Sequence, residues 1–403
     1  MTLIGIDGAE WQAINYLREQ GELPTLDRFI KEGAHAKLES IDPTFTPIVW
    51  TTVATGMPPI RHGIRGFKLL NPETGHKVPV NRTMRKSPAI WNMLSSRGLQ
   101  SLVTAWYATW PAEPVKGAVI SDYTWPLKNT KLSEDFYQSQ AGLQMRDQTY
   151  PRNLYNRVRQ HFIDKFKENR AFEKRFGLAV KDSPYALKHG YAKDLTYFRI
   201  FRDMRQKQRF DLSTLYIQGP DLLSHKYWRE FDLLTKGRAD SKEQGKAELI
   251  RRYYKFIDKI LAVYDRTIRR PGETVVIISD HGFEARSKPI LTKVSDDKFD
   301  MRQYWHRNQG ILIAHGPNVK RGARIPVATV FDIAPTVLTH FRLPVAKDMQ
   351  GKPLAEIVGT LPKKLPTIAS YDNPQKRTNA VKIRESTYDK EIIKSLNELG
   401  YIQ

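Results

Sequence analysis

Six side chains of metal-ligand type stand along this chain: Asp7, Asp221, His225, Asp280, His281 and His306. Carboxylates and imidazoles in equal number make a mixed oxygen and nitrogen donor set. Such a set suits zinc, or sometimes manganese, better than an all-oxygen magnesium cage. Six ligands are enough for a pair of divalent ions, and a paired-ion site implies metal-assisted hydrolysis.

The elements that must position these residues are visible as apolar runs. Asp7 closes Leu3-Ile4-Gly5-Ile6, the pattern of a buried strand. Asp221 and His225 follow Leu215-Tyr216-Ile217 and stand four apart, so one helical turn puts both on one face. Asp280-His281 follow Thr274-Val275-Val276-Ile277-Ile278-Ser279, and His306 precedes Gly310-Ile311-Leu312-Ile313-Ala314. A single Asp after a strand is most often a turn former. Here Asp7, Asp221 and Asp280 all fall where strands end, which is the edge at which open α/β sheets bind ligands. The other histidines (His35, His62, His76, His161, His189, His315 and His340) lack that context and are read as capping, packing or solvent-facing.

Several further motifs stand in order with these ligands. Asp7 is followed by Thr46-Pro47-Ile48-Val49-Trp50-Thr51-Thr52-Val53-Ala54-Thr55-Gly56, by Pro58-Pro59 and by His62-Gly63-Ile64. Asp221-x3-His225, Ser279-Asp280-His281-Gly282 and His306 come next. Phe331-Asp332-Ile333-Ala334-Pro335 and Gly351-Lys352-Pro353-Leu354 close the series. In this order the motifs resemble the alkaline phosphatase superfamily, in its type I phosphodiesterase/nucleotide pyrophosphatase branch. The likeness runs over residues 1–126 and 208–357. It implies an α/β three-layer sandwich with a mostly parallel central sheet and an inserted helical cap at 127–207. A C-terminal tail with a terminal helix would occupy 358–403.

Carried over residue by residue, the resemblance assigns one ion to Asp7, Asp280 and His281, and the other to Asp221, His225 and His306. It assigns the nucleophile to Thr46, with a covalent phosphothreonine as intermediate. A threonine hydroxyl needs metal activation to attack at neutral pH. The local sequence agrees: Thr46 followed by Pro47 reads as N-cap and N1 of a helix, whose free N–H groups would receive a phosphate. Thr44 is the rival, and the family's spacing back from Thr55-Gly56 favours Thr46. With no cysteine in the chain and no serine at 46, a sulfatase is disfavoured.

One departure stands out. Where the branch usually carries an Asn that contacts a phosphoryl oxygen, this chain reads His62-Gly63-Ile64-Arg65-Gly66-Phe67-Lys68. Arg65, Lys68 and Asn81 are therefore the candidates for substrate contact, beside the helix terminus at Thr46.

Composition sets the outer bounds. The 403 residues, 40 % of them hydrophobic, suffice for one large domain plus an insertion. Within the insertion, Leu154, Val158, Phe162 and Phe166 repeat as one helix face; Tyr191 and Tyr197 there, and Tyr216 beyond it, are candidate pocket-lining residues. A net charge of +22 favours encounter with small anionic phosphoesters. Nucleic acid is disfavoured because no recognised binding module appears, while a membrane surface stays open as a partner. Absence of cysteine fits any compartment. Met1 sits almost on the first strand, where relatives often carry an export signal or anchor. The expectation is thus a trimmed or mature form in an extracytoplasmic location. Diester against monoester, hydrolysis against phosphotransfer, and oligomeric state all stay open. So does the reading in which a catalytically weak protein binds anionic polymers through its basic cap. Between 371 and 385 the polar composition predicts partial disorder.

Overall fold

The computed structural model describes residues 1–122, 146–164, 169–285, 306–361, 363–372 and 382–399. The strands, in chain order, begin with β1 (Thr2–Ile6), β2 (Ala34–Glu39) and the hairpin β3–β4 (Lys68–Leu70, Lys77–Pro79). Next come β5 (Ser101–Thr104), β6 (Gly117–Ile120), β7 (Thr149–Tyr150), β8 (Leu212–Ile217) and β9 (Val275–Ile278). The short pair β10–β11 (Gly282–Phe283, His306–Arg307), β12 (Gln309–His315), β13 (Ala323–Arg324) and β14 (Ala328–Thr329) follow. β1, β8 and β9 are buried at every residue and rich in aliphatic side chains, as parallel strands covered on both faces must be.

Ten of these strands form one sheet in the order β13-β2-β12-β9-β1-β8-β5-β6-β7, with β14 also on β2, while β3–β4 and β10–β11 pair separately. β9, β1, β8, β5 and β6 run parallel. β12 runs against both β9 and β2. It follows that the C-terminal ends of β1, β2, β5, β6, β8 and β9 and the N-terminal end of β12 lie along one edge. Every strand end singled out in the sequence opens on that edge.

The helices that matter here are α1 (Trp11–Glu19), α2 (Pro24–Glu32), α3 (Thr46–Thr55), α4 (Tyr185–Lys207), α5 (Gly219–Thr235), α6 (Ser241–Thr267), α7 (Ile333–His340) and α8 (Asp389–Leu399). α2 packs on β2, β12 and α6, whereas α3 packs with α7. α3 reaches the sheet through Trp50. A Cβ on Gly5 of β1 would sit 2.6 Å from that indole, so glycine there is what lets the helix close on the strand. Trp106 adds an edge-on contact to Trp50 at 5.1 Å. The architecture is the α/β fold expected, with a large, mostly parallel sheet at its centre.

In the segment expected as a cap, α4 lies along β5, β8 and α5 and sends Leu187, Tyr197, Phe201 and Met204 into the main core. Val158 is buried there too, and Leu154 packs against it; Phe166 lies outside the described residues. The tail lies over the β3–β4 hairpin. Glu385 accepts a hydrogen bond from Asn71 (2.8 Å), Arg384 N donates to Thr83 Oγ1 (3.1 Å), and α8 packs on β4. The disorder expected over 371–385 therefore does not reach 384–385, which are tied to the hairpin; residues 373–381 lie outside the described set.

Candidate active site

β1 hands over directly to Asp7, whose N–H extends the parallel ladder to Ile217 O at 2.8 Å. Asp7 is fully buried, and the Tyr216 hydroxyl donates to its Oδ2. Gly8 then turns with φ +64°, and a Cβ on it would come within 2.9 Å of Asp221 Cα. Only glycine lets the loop after β1 pass so close to α5. Gly8 N also donates to Asp280 Oδ1 at 3.2 Å.

β9 ends in the same manner. Ser279 Oγ donates to Ala9 O and accepts from Ile311 N, each at 2.8 Å, which fixes the turn that delivers Asp280 and His281. Both are fully buried. Beyond β8, Asp194 of α4 accepts from Gln218 N (3.0 Å), Gly219 N (2.9 Å) and Tyr253 Oη (2.9 Å). This carboxylate caps α5 from outside the helix, satisfying N–H groups that have no partner within it. Asp221 stands in the first turn of α5 and His225 one turn later, Oδ1 to Nε2 3.3 Å. His306, on β11 opposite Phe283, stacks on His281 at 3.6 Å between ring centroids.

The six sequence-predicted ligands thus come together. Asp7, Asp280 and His281 offer ligand atoms all within 4.8 Å of one another, as do Asp221, His281 and His306. His225 Nε2 is 3.1 Å from His306 Nε2. His281 Nε2 stands between the groups, 3.5 Å from Asp7 Oδ1, 3.6 Å from Asp221 Oδ1 and 3.6 Å from Asp280 Oδ2.

The electrostatics of this cluster call for a cation. Burial, then Asp280 and Asp221, push the Asp7 carboxyl well above the usual carboxylate range. Burial and Asp221 push Asp280 to about 8. Burial, then His281 and His225, hold His306 well below the ordinary imidazole value. Three buried acids cannot all ionise without opposite charge nearby. Asp7 Oδ1, Asp280 Oδ2 and His281 Nε2 are also buried with no hydrogen-bond partner. Buried polar atoms are rarely left that way, and these are the atoms a divalent ion would take. The donor set fits zinc or manganese.

Thr46 is buried and is the first residue of α3; Phe45 is the N-cap, so the predicted cap shifts by one residue and Pro47 stands second. The reason is local. Phe45 already has the extended backbone of a cap, and its carbonyl accepts from Ile48 and Val49. Thr44 Oγ1 lies 3.2 Å from His306 Nδ1. Trp50, one turn after Thr46, packs edge-on to Tyr216 at 5.4 Å, the same Tyr216 that holds Asp7. The start of α3 is therefore tied to the cluster on two sides.

The expected substrate contacts fare differently. Arg65 is exposed and Lys68 half-buried on β3. Asn81 is fully buried as the cap of a short 3-10 turn, its Oδ1 accepting from Thr83 N at 3.0 Å and its Nδ2 donating to Arg384 O at 2.9 Å. Its amide is already committed within the fold. Phe67 packs on Phe45 and Tyr107. Of the candidate lining tyrosines, Tyr216 reaches the site. Tyr191 is instead buried among Phe172, Phe176 and Phe256, and Tyr197 donates to Ser121 O and Asp122 O.

Sequence reasoning missed Tyr107. It follows β5, and burial, then Asp122, Asp7 and Asp221, push its hydroxyl well above the ordinary phenol value. Ala105 and Ala108, at φ +58° and +54°, flank it. Left-handed alanines are strained, and such strain gathers at functional sites. Asp122 holds this loop by accepting from Ala108 N (2.9 Å), Thr109 N (3.1 Å) and Trp110 N (3.1 Å). The apolar run Leu102-Val103-Thr104 ending at Trp106-Tyr107 was the available signal.

The model of the type I phosphodiesterase/nucleotide pyrophosphatase family matches residues 1–395. This chain belongs to that family. Among solved structures, a putative sulfatase from Bacteroides thetaiotaomicron VPI-5482 is similar at 12% identity, with 91% of this chain and 75% of that one covered and a TM-score of 0.55. At that identity the likeness is one of fold. Murine ectonucleotide pyrophosphatase/phosphodiesterase 5 aligns at 14% identity over 85% of this chain and 95% of its own (TM-score 0.48). Phosphonoacetate hydrolase from Sinorhizobium meliloti 1021 aligns at 19% identity over 70% of this chain (TM-score 0.39), which spans only 56% of that hydrolase. No match was found among curated protein sequences.

Proposed function

We propose that this family member is a metal-dependent phosphoric ester hydrolase of phosphodiesterase type, acting on small anionic phosphoesters with Thr46 as nucleophile. The observation that carries the reading is the pair of Asp/His groups sharing His281, at the sheet edge beside the N-terminus of α3. Asp7, Asp280 and His281 would hold one ion, and Asp221, His225 and His306 the other. Bound there, two divalent ions supply Lewis acidity and lower the pKa of a hydroxyl.

The chain's own residues do the rest. The N-terminus of α3 presents the Thr46 N–H and the positive end of its dipole to the phosphoryl group, since Pro47 has no N–H and those of Ile48 and Val49 donate to Phe45 O. Thr46 Oγ1 loses its proton and bonds to phosphorus as the ester oxygen departs in line and is protonated to the alcohol. Water then cleaves the Thr46 phosphoester, releasing the phosphoryl product and restoring the hydroxyl. Thr44 holds His306, and Tyr216 holds Asp7, so both orient ligand side chains from behind. Acceptance of an alcohol in place of water would make the same site a phosphotransferase.

The test compares bis-p-nitrophenyl phosphate, thymidine monophosphate p-nitrophenyl ester and p-nitrophenyl phosphate, with wild type beside Thr46→Ala. Diester turnover lost in the variant supports the proposal. A strong preference for the monoester would move the assignment to a phosphatase. No turnover of any ester would overturn it.

A further inference from the structure

Lys193 lies on α4, one residue before the Asp194 that clamps the start of α5. Its Nζ donates to Gln218 Oε1 at 2.7 Å and stands 5.9 Å from the centre of the Tyr216 ring. Tyr216 is the residue bonded to Asp7, and Gln218 stands three positions before Asp221. The ammonium group thus projects from α4 toward the sheet edge where the ligand cluster lies.

An ammonium carries three donors, and Gln218 takes one. Among the described residues no carboxylate stands within ion-pair distance of Lys193. Burial holds its ammonium below the ordinary lysine value, and Asp194, Asp122 and Asp7, acting from farther off, offset this only in part. A partly buried cation without a direct counter-ion is costly. A lysine kept only for structure would gain by pairing. An anion that visits the site supplies the missing partner instead.

Resting on the phosphoester reading above, we propose that Lys193 contacts substrate, donating to a non-bridging oxygen of the scissile phosphoryl group. It takes the place of an amide donor that this chain lacks after His62-Gly63-Ile64, where Phe67 stands and Asn81 is committed elsewhere.

The experiment compares wild type with Lys193→Met, Lys193→Gln and Lys193→Arg. It reads metal content, melting temperature, kcat and KM on bis-p-nitrophenyl phosphate, and binding of inorganic phosphate by calorimetry. Loss of one such donor lowers kcat by roughly 10²–10³-fold. We expect that loss in Met and Gln, weaker phosphate binding in both, partial recovery in Arg, and metal content as in wild type. Turnover and phosphate affinity within about threefold of wild type in the Met and Gln variants would overturn the assignment. So would loss of turnover with phosphate affinity unchanged. If wild type turns over no ester, the phosphoester reading fails, while phosphate binding still reads Lys193 by itself.

Discussion

Thr44 Oγ1 stands 3.2 Å from His306 Nδ1, so the hydroxyl just ahead of α3 steadies an imidazole, two residues from a second hydroxyl at the helix start. The two threonines therefore have separable tasks. Thr44→Val should weaken metal retention by roughly 10–100-fold, as loss of a ligand's outer hydrogen bond does. Thr46→Ala should keep its metal and lose turnover. Metal titration and steady-state kinetics on both variants check the division; equal effects on both readouts would contradict it.

Tyr216 makes the matching contact on the other side, its hydroxyl on Asp7 and its ring against Trp50. Tyr216→Phe keeps the ring and removes only the donor. Metal affinity should fall by roughly 10–100-fold with little change in the melting temperature of the chelated protein. A variant that binds metal as tightly as wild type would show the hydroxyl to be incidental.

The acids predict a pH response. Asp280 is raised to about 8 in the folded chain, against 3.8 as its ordinary value, by burial and then Asp221. Between those values the folded, chelated protein holds a proton that the unfolded chain has released. This contribution is fully present below the ordinary carboxylate value and is lost as pH rises through about 8. Chelated wild type should therefore lose stability relative to Asp280→Asn between pH 5 and pH 8, read by urea unfolding. Metal uptake by wild type over the same window should release protons, since an ion takes the place they held. A wild-type stability gain over the variant as pH rises would refute this.

Gly5 is the packing test. A Cβ there meets the Trp50 indole at 2.6 Å. Gly5→Ala should destabilise the fold by about 1–3 kcal/mol, the usual cost of overpacking a core. Because Trp50 lies one turn from Thr46, turnover should fall as well. Urea unfolding with an unchanged m-value would separate this from a change of denatured state.

The strand ends at Asp7, Asp280 and Asp221 were legible because a buried parallel strand writes itself as an uninterrupted apolar run. Once β1, β8 and β9 run the same way, their ends must meet. The four-residue step from Asp221 to His225 was legible for the same local reason. Residues that act on the site from elsewhere were not. Asp194 and Lys193 sit within α4, whose spacing carries no sign of the β8–α5 loop it touches. Tyr107 depends on two left-handed alanines, a conformation that alanine does not announce. Asn81 looked available because its partner, the Arg384 carbonyl, comes from a tail some 300 residues along the chain.

The most direct measurement is metal content per chain of purified wild type beside Asp280→Asn and His225→Ala, by elemental analysis after dialysis against zinc or manganese. The account predicts close to two ions in wild type. Each variant should lose the ion of its own group, and diester turnover should fall with it. Wild type that retains no divalent ion, or variants that retain as much as wild type, would contradict the account at its centre.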